Sequence, residues 1–123
     1  MFATHPLEQQ NVNNLLVIAP LFLHSFIEKY LNQLLDYKES IIANQIGRSG
    51  TSIGANIREA QYAHGKADFI AKLQIALKEC SESEYWLELL IESGYYGDKS
   101  ILDRCIEIKK ILISSINTSK NGT

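Results

Sequence analysis

With 123 residues, 46% of them hydrophobic, the chain is long enough for one domain with a real core and too apolar for a disordered segment. Its formal net charge of −2 excludes binding to nucleic acid by overall charge alone. The apolar run LLVIAPLFL at 15–23 is nine residues long, far short of a bilayer span, and no basic stretch precedes a hydrophobic one at the start, so a cytoplasmic protein without a signal peptide is expected.

Residues 1–19 are mixed and rich in Asn and Gln, and read as an N-terminal arm or a partial helix. The first full helix is expected to begin at Pro20, since proline's missing N–H has no partner at the first helical position anyway. Phe22, Leu23, Phe26, Ile27, Tyr30, Leu31, Leu34 and Leu35 then form one stripe at spacings of three and four. Residues 15–18 either extend this helix across a kink or form an extended arm.

A second helix is expected over 39–64, with its apolar stripe on Ile42, Ile46, Ser49, Ile53, Ile57 and Ala60. Inside it lies RSGTSIGANIREAQ (48–61), which at first sight resembles a turn or a phosphate loop. Gly47, Gly50 and Gly54 each cost about 1 kcal/mol of helix propensity relative to Ala. A helix pressed closely against a neighbour tolerates that, because glycine permits short backbone separations. Thr51 and Ser52 can bond back to carbonyls of the preceding turn.

A third helix is expected from Lys66 or Ala67 to Ser93, bearing Phe69, Leu73, Ala76, Leu77, Cys80, Leu87, Leu90 and Ile91. Asp68 sits in its first turn, where a carboxylate favours the helix dipole, and Gly94 follows as a stop signal. After a turn at 94–98, a fourth helix starts with Ser100 as N-cap and carries Ile101, Leu102, Cys105, Ile108, Leu112 and Ile116. Lys109 and Lys110 are expected to face solvent, and 117–123 to form a polar tail. Four amphipathic segments with short connections over 20–116 predict an all-α, antiparallel up-down-up-down four-helix bundle. Ile106, Ile113, Tyr95, Tyr96 and Trp86 exceed what its core stripes need, which predicts a second buried face and hence a homo-oligomer.

Chemistry is sparse. His5, His24 and His64 include no i, i+4 pair, and the paired Glu-x-x-His of metal-binding bundles is absent, so neither metal nor other cofactor is expected. Glu84, Glu88 and Glu92 share a helix face and read as a solvated row that answers basic residues on a neighbouring helix. The glycines near Arg48 lack the strand and the Gly-Lys-Ser/Thr ending of a phosphate loop. Ser49, Ser52 and Cys80 lack the base that would make them nucleophiles, so an enzyme is not expected. Cys80 and Cys105 read as small core residues in a reducing compartment rather than a disulfide. Between 45 and 78, Arg48, Arg58, Lys66, Lys72 and Lys78 face only Glu59 and Asp68, a local surplus of three positive charges. They form either a small nucleic-acid-contacting patch or solubility charge with intra-bundle ion pairs. Asn56 and Glu59 are expected to set helix register.

The pattern Gln45-x-x-Arg48-Ser49-x-x-Ser52-Ile53-x-x-Asn56-Ile57-x-Glu59-Ala60 continues through Ala67-Asp68-Phe69-Ile70-x-x-Leu73-x-Ile75-Ala76-x-x-Glu79 and Glu84-x-Trp86-Leu87-x-Leu89-Leu90 to Gly94-Tyr95. It resembles the bundle family encoded by intervening sequences of bacterial 23S rRNA genes, also called S23-type ribosomal proteins. The resemblance is close over 38–96. It implies a left-handed antiparallel bundle, a ring-like homopentamer and no known catalysis. A related branch resembles the strongly basic accessory proteins of diversity-generating retroelements, from which this chain's −2 charge departs.

Overall fold

The structure is a computed structural model that describes residues 6–31, 40–94 and 99–121. Four helices follow in chain order: α1 (Pro6–Phe26), which runs on into a π-helical turn (Ile27–Leu31), α2 (Ser40–Ala60), α3 (Lys66–Glu92) and α4 (Ser100–Asn121). The contact of α2 with α3 is the most extensive, followed by α3 with α4, and α4 returns against α1, closing a four-helix bundle. Successive helices run antiparallel. On α2 and α3, Arg48 meets Glu79 while the later Glu59 meets the earlier Lys72. No strand occurs among the described residues.

The core is built from one face of each helix, as the spacings require. Ile46, Ile53, Ile57 and Ala60 of α2 are fully buried, with Ile42 only partly so. Phe69, Leu73, Ala76, Cys80, Leu87 and Leu90 supply α3, and Ile101, Cys105, Ile108, Leu112 and Ile116 supply α4. Phe22 and Phe26 join them from α1, preceded by Val12, Leu15 and Ala19.

The start of the first helix differs from expectation. Pro6, not Pro20, occupies its first position, and Pro20 sits exposed in the helix interior. Val12, Leu15 and Ala19 continue the stripe of Phe22 and Phe26 backwards, and their burial outweighs the single backbone bond that Pro20 removes. Ile27, expected in the core, is 48% exposed where the π turn begins, because the wider turn rotates the stripe away. The side chains of Tyr30, Leu31, Leu34 and Leu35, and residues Tyr95 and Tyr96, lie outside the described side chains, as does His5.

The other ends are set by local hydrogen bonds. After α2, Gln61, Tyr62 and Ala63 donate to the carbonyls of Arg58, Glu59 and Ala60, so the chain tightens and leaves the helix four residues before His64. The Asp68 carboxylate accepts from the His64 N–H at 3.3 Å, tying that turn to the first turn of α3. Gly94 has φ +81° and donates to the Ile91 carbonyl, a left-handed stop that suits glycine. Ser100 is the first residue of α4, and the carbonyl of Lys99 takes the first helical bond from Asp103. The helix continues through Asn121, past the point where a polar tail was expected, because buried Ser115, Ile116 and Ser119 keep its inner face covered.

Candidate functional site

The family-like residues converge on the seam between α2 and α3. Arg48 projects from α2 across two turns of α3. Its Nη1 lies 3.0 Å from Glu79 Oε2, its Nη2 contacts Glu82, and its Nε donates to Gln45 Oε1 at 3.1 Å. The two carboxylates hold the guanidinium pKa above its usual value, Glu82 contributing most. In return, the hydrogen bond from Arg48 holds the Glu82 carboxyl below its usual range. Trp86 also donates Nε1–H to Glu82 at 3.4 Å, and its ring meets Tyr85 edge-on at 5.0 Å.

Beneath this surface network, the hydroxyls of Ser49 and Ser83 lie 2.6 Å apart, both fully buried. Each satisfies the other where water cannot reach. Farther along the seam, Lys72 Nζ stands 3.3 Å from Glu59 Oε2. Asn56 donates to the Ser52 carbonyl at 2.9 Å and to its hydroxyl at 3.2 Å, so it bonds within its own helix and not across a helix interface. Phe69 is a core side chain. Arg48, Ser49 and Glu59 of α2 thus meet Glu79, Ser83 and Lys72 of α3, with Gln45 bracing Arg48 from within α2.

The basic residues do not share one setting. Arg48 and Lys72 are engaged by carboxylates, whereas Arg58 and Lys78 are exposed and have no ion pair among the described residues. Lys66 is half-buried at the start of α3. Arg58 lies along a groove of about 510 Å³ between α1 and α2. Leu15, Leu16, Ala19 and Pro20 form one wall, and Thr51, Gly54, Ala55 and Ile57 form the other.

That groove corrects the expectation for the glycines. Among the described residues only Gly50 of the three meets close packing, since a Cβ there would stand 3.0 Å from Leu23 Cδ1 and 3.5 Å from Phe22 Cε2. Gly47 and Gly54 would meet nothing within 4 Å. Thr51 bonds back to the Gly47 carbonyl at 2.6 Å, as expected.

Lys109, expected in solvent, lies 2.6 Å from Glu84 and is 29% exposed. Its pKa is raised by that hydrogen bond. Glu84 thus answers a basic residue on the neighbouring helix, as expected of the row, though half-buried, while Glu88 stays exposed. No group of three or more metal-ligating side chains occurs among the described residues, and no helix there is long and apolar enough to cross a membrane. Sequence reasoning missed the parts played by Glu82, Ser83 and Trp86. Glu79, Glu82, Ser83 and Trp86 follow one another at spacings of three, one and three, which carries a helix-face signal but does not name its partners.

The profile of the 23S rRNA-intervening sequence protein family matches residues 22–114. The chain belongs to this family. A solved structure of a protein of unknown function from the S23 ribosomal protein family, from Bacteroides thetaiotaomicron, is 47% identical, superimposes with a TM-score of 0.81, and covers 88% of this chain and 99% of its own. No curated protein matches the sequence. Family membership brings with it no established catalytic activity.

Proposed function

We propose that this family member is a non-enzymatic building block that assembles with copies of itself, five being the number that the family resemblance implies, and that the α1–α2 groove is a contact face in that assembly. The observation that carries this reading is the pair Gly47 and Gly54. Each costs α2 about 1 kcal/mol of helix propensity, yet among the described residues no atom lies within 4 Å of the place its side chain would take. A helix of a second copy would use it, because a glycine surface permits close backbone approach. Val17 and Leu21, one turn apart on α1, are 64% and 46% exposed and add apolar surface on the same helix as one groove wall. Ile113 and Trp86, two of the surplus apolar residues, remain 42% exposed and half-buried respectively. The free cysteines suit a reducing compartment, and we place the assembly in the cytoplasm.

Native mass spectrometry tests the assembly. A discrete multiple of 13.9 kDa is expected, and Gly54→Trp should dissociate it while helical circular dichroism stays unchanged. A monomer at micromolar concentration would remove the proposal.

Nucleic-acid contact is the second reading. Tyr62 is 75% exposed in the α2–α3 turn, with Arg58, His64 and Lys66 close by in sequence. An exposed aromatic ring among cations is a platform for stacking bases. Because Arg48 and Lys72 already bind carboxylates, the contact should be weak and lost with modest salt. Retention of nucleic acid at low salt that survives Arg58→Glu with Lys66→Glu would dismiss this patch.

A further inference from the structure

We propose that Cys80 and Cys105 are a latent cross-link, which a small peroxide closes into a disulfide pinning α3 to α4. They are the chain's only 2 cysteines, both free and fully buried on facing helices. Their sulfurs lie 3.7 Å apart. Each thiol also reaches the other residue's main chain, Cys80 Sγ donating to the Cys105 carbonyl at 3.3 Å and Cys105 Sγ to the Cys80 carbonyl at 3.4 Å. This reciprocal contact holds each sulfur against the other residue's main chain and keeps the two sulfurs facing one another. Bonding at about 2.05 Å would close a gap of roughly 1.6 Å, shared between two side-chain rotations.

The reaction balances with hydrogen peroxide as the oxidant. One thiol gives its proton to water, and its sulfur attacks a peroxide oxygen. The O–O bond breaks, a sulfenic acid forms, and the departing hydroxide takes up a proton to become water. The second sulfur then attacks the sulfenic sulfur, forming the S–S bond and expelling hydroxide, which leaves as water with the second thiol's proton. Two thiols lose two electrons, and peroxide gains them.

The hydrogen bond with Cys80, followed by burial, pushes the Cys105 thiol pKa up, so little thiolate is present at rest. The lock is therefore slow in the closed bundle and fast when the α3–α4 seam opens. Once formed, it closes a loop across the whole α3–α4 connection, restricting the unfolded chain and raising Tm by about 10 °C.

The test treats the full chain with hydrogen peroxide, in buffer and in urea just below the unfolding transition. The expected product is about 2 Da lighter, resists alkylation when denatured, yields a peptide joining Cys80 to Cys105, and has a raised Tm that dithiothreitol reverses. Cys105→Ala should show neither the mass loss nor the Tm rise. Unreacted thiols in the urea sample, a gain of about 16 or 32 Da without cross-linking, a disulfide between chains, or a cross-linked protein with lower Tm would each overturn the proposal.

Discussion

Gly47, Gly50 and Gly54 occupy one helix at regular spacing, yet replacing each with alanine should give unequal results. Alanine gains about 1 kcal/mol of helix propensity over glycine at an interior position. At 47 and 54 nothing opposes that gain, because the new Cβ meets no atom within 4 Å. Gly47→Ala and Gly54→Ala should therefore each stabilise the bundle by about 1 kcal/mol, or roughly 3–5 °C in Tm for a chain of this size. At 50 the new Cβ arrives 3.0 Å from Leu23 Cδ1 and 3.5 Å from the buried Phe22 ring. Leu23, which is partly exposed, must draw back its terminal methyl by a few tenths of an ångström, which offsets the propensity gain and leaves Gly50→Ala close to the parent. Gly50→Leu overpacks the α1–α2 contact and should lose about 1–3 kcal/mol. The assay is urea unfolding followed by helical circular dichroism, at a concentration low enough that association does not contribute. Positions 47 and 54 are two turns apart with no shared neighbour, so the double variant should gain about 2 kcal/mol. The reasoning fails if either outer substitution does not stabilise, or if Gly50→Ala stabilises as much as they do.

Ser49→Ala should cost about 1–2 kcal/mol by leaving the Ser83 hydroxyl buried without its 2.6 Å partner, whereas Ser49→Ala with Ser83→Ala should cost less than the sum of the singles; additive losses in denaturant would refute the pairing. Arg48→Ala should lower Tm by stranding Glu79, whose side chain is only 11% exposed, and adding Glu79→Gln should recover part of the loss. In acid titration, the depressed Glu82 carboxyl contributes stability that is fully present above its ordinary value near 4.5 and is lost as pH falls through its lower folded value; a Tm change in that window should disappear in Glu82→Gln. At the alkaline end the sign reverses. The raised Lys109 ammonium contributes fully below its usual 10.5, and the contribution is lost as pH rises through the folded value. Pro20→Ala should stabilise α1 by about 1–3 kcal/mol through the restored backbone bond, as read by thermal unfolding.

Much of the bundle was legible because helical burial repeats with a period near 3.6, and the period survives in the sequence. Ile46, Ile53 and Ile57, and Cys105, Ile108 and Leu112, could be assigned to inner faces on spacing alone, and the structure buries them all. Gly94 announced the end of α3, since a left-handed residue there favours glycine. The start of α1 was not legible. Proline is a good first residue and a poor interior one, and only packing against the other helices shows that the stripe beginning at Val12 outweighs that local signal.

The roles of polar residues belong still more to tertiary structure, because a sequence gives periodicity along a helix but not the rotation and register between helices. On the sequence alone Arg48 fits a basic patch or an intra-bundle ion pair equally, and the antiparallel register of α2 and α3 decides for the pair by bringing it to Glu79 and Glu82. Three glycines that look alike in the sequence separate into one packed against α1 and two facing open space. Cys80 and Cys105, 25 positions apart, become a thiol pair only when α4 folds back along α3. Composition and period determined that this chain would be a helical bundle. The angles and offsets between its helices decided which charges are spent inside the fold and which surfaces are left for a partner.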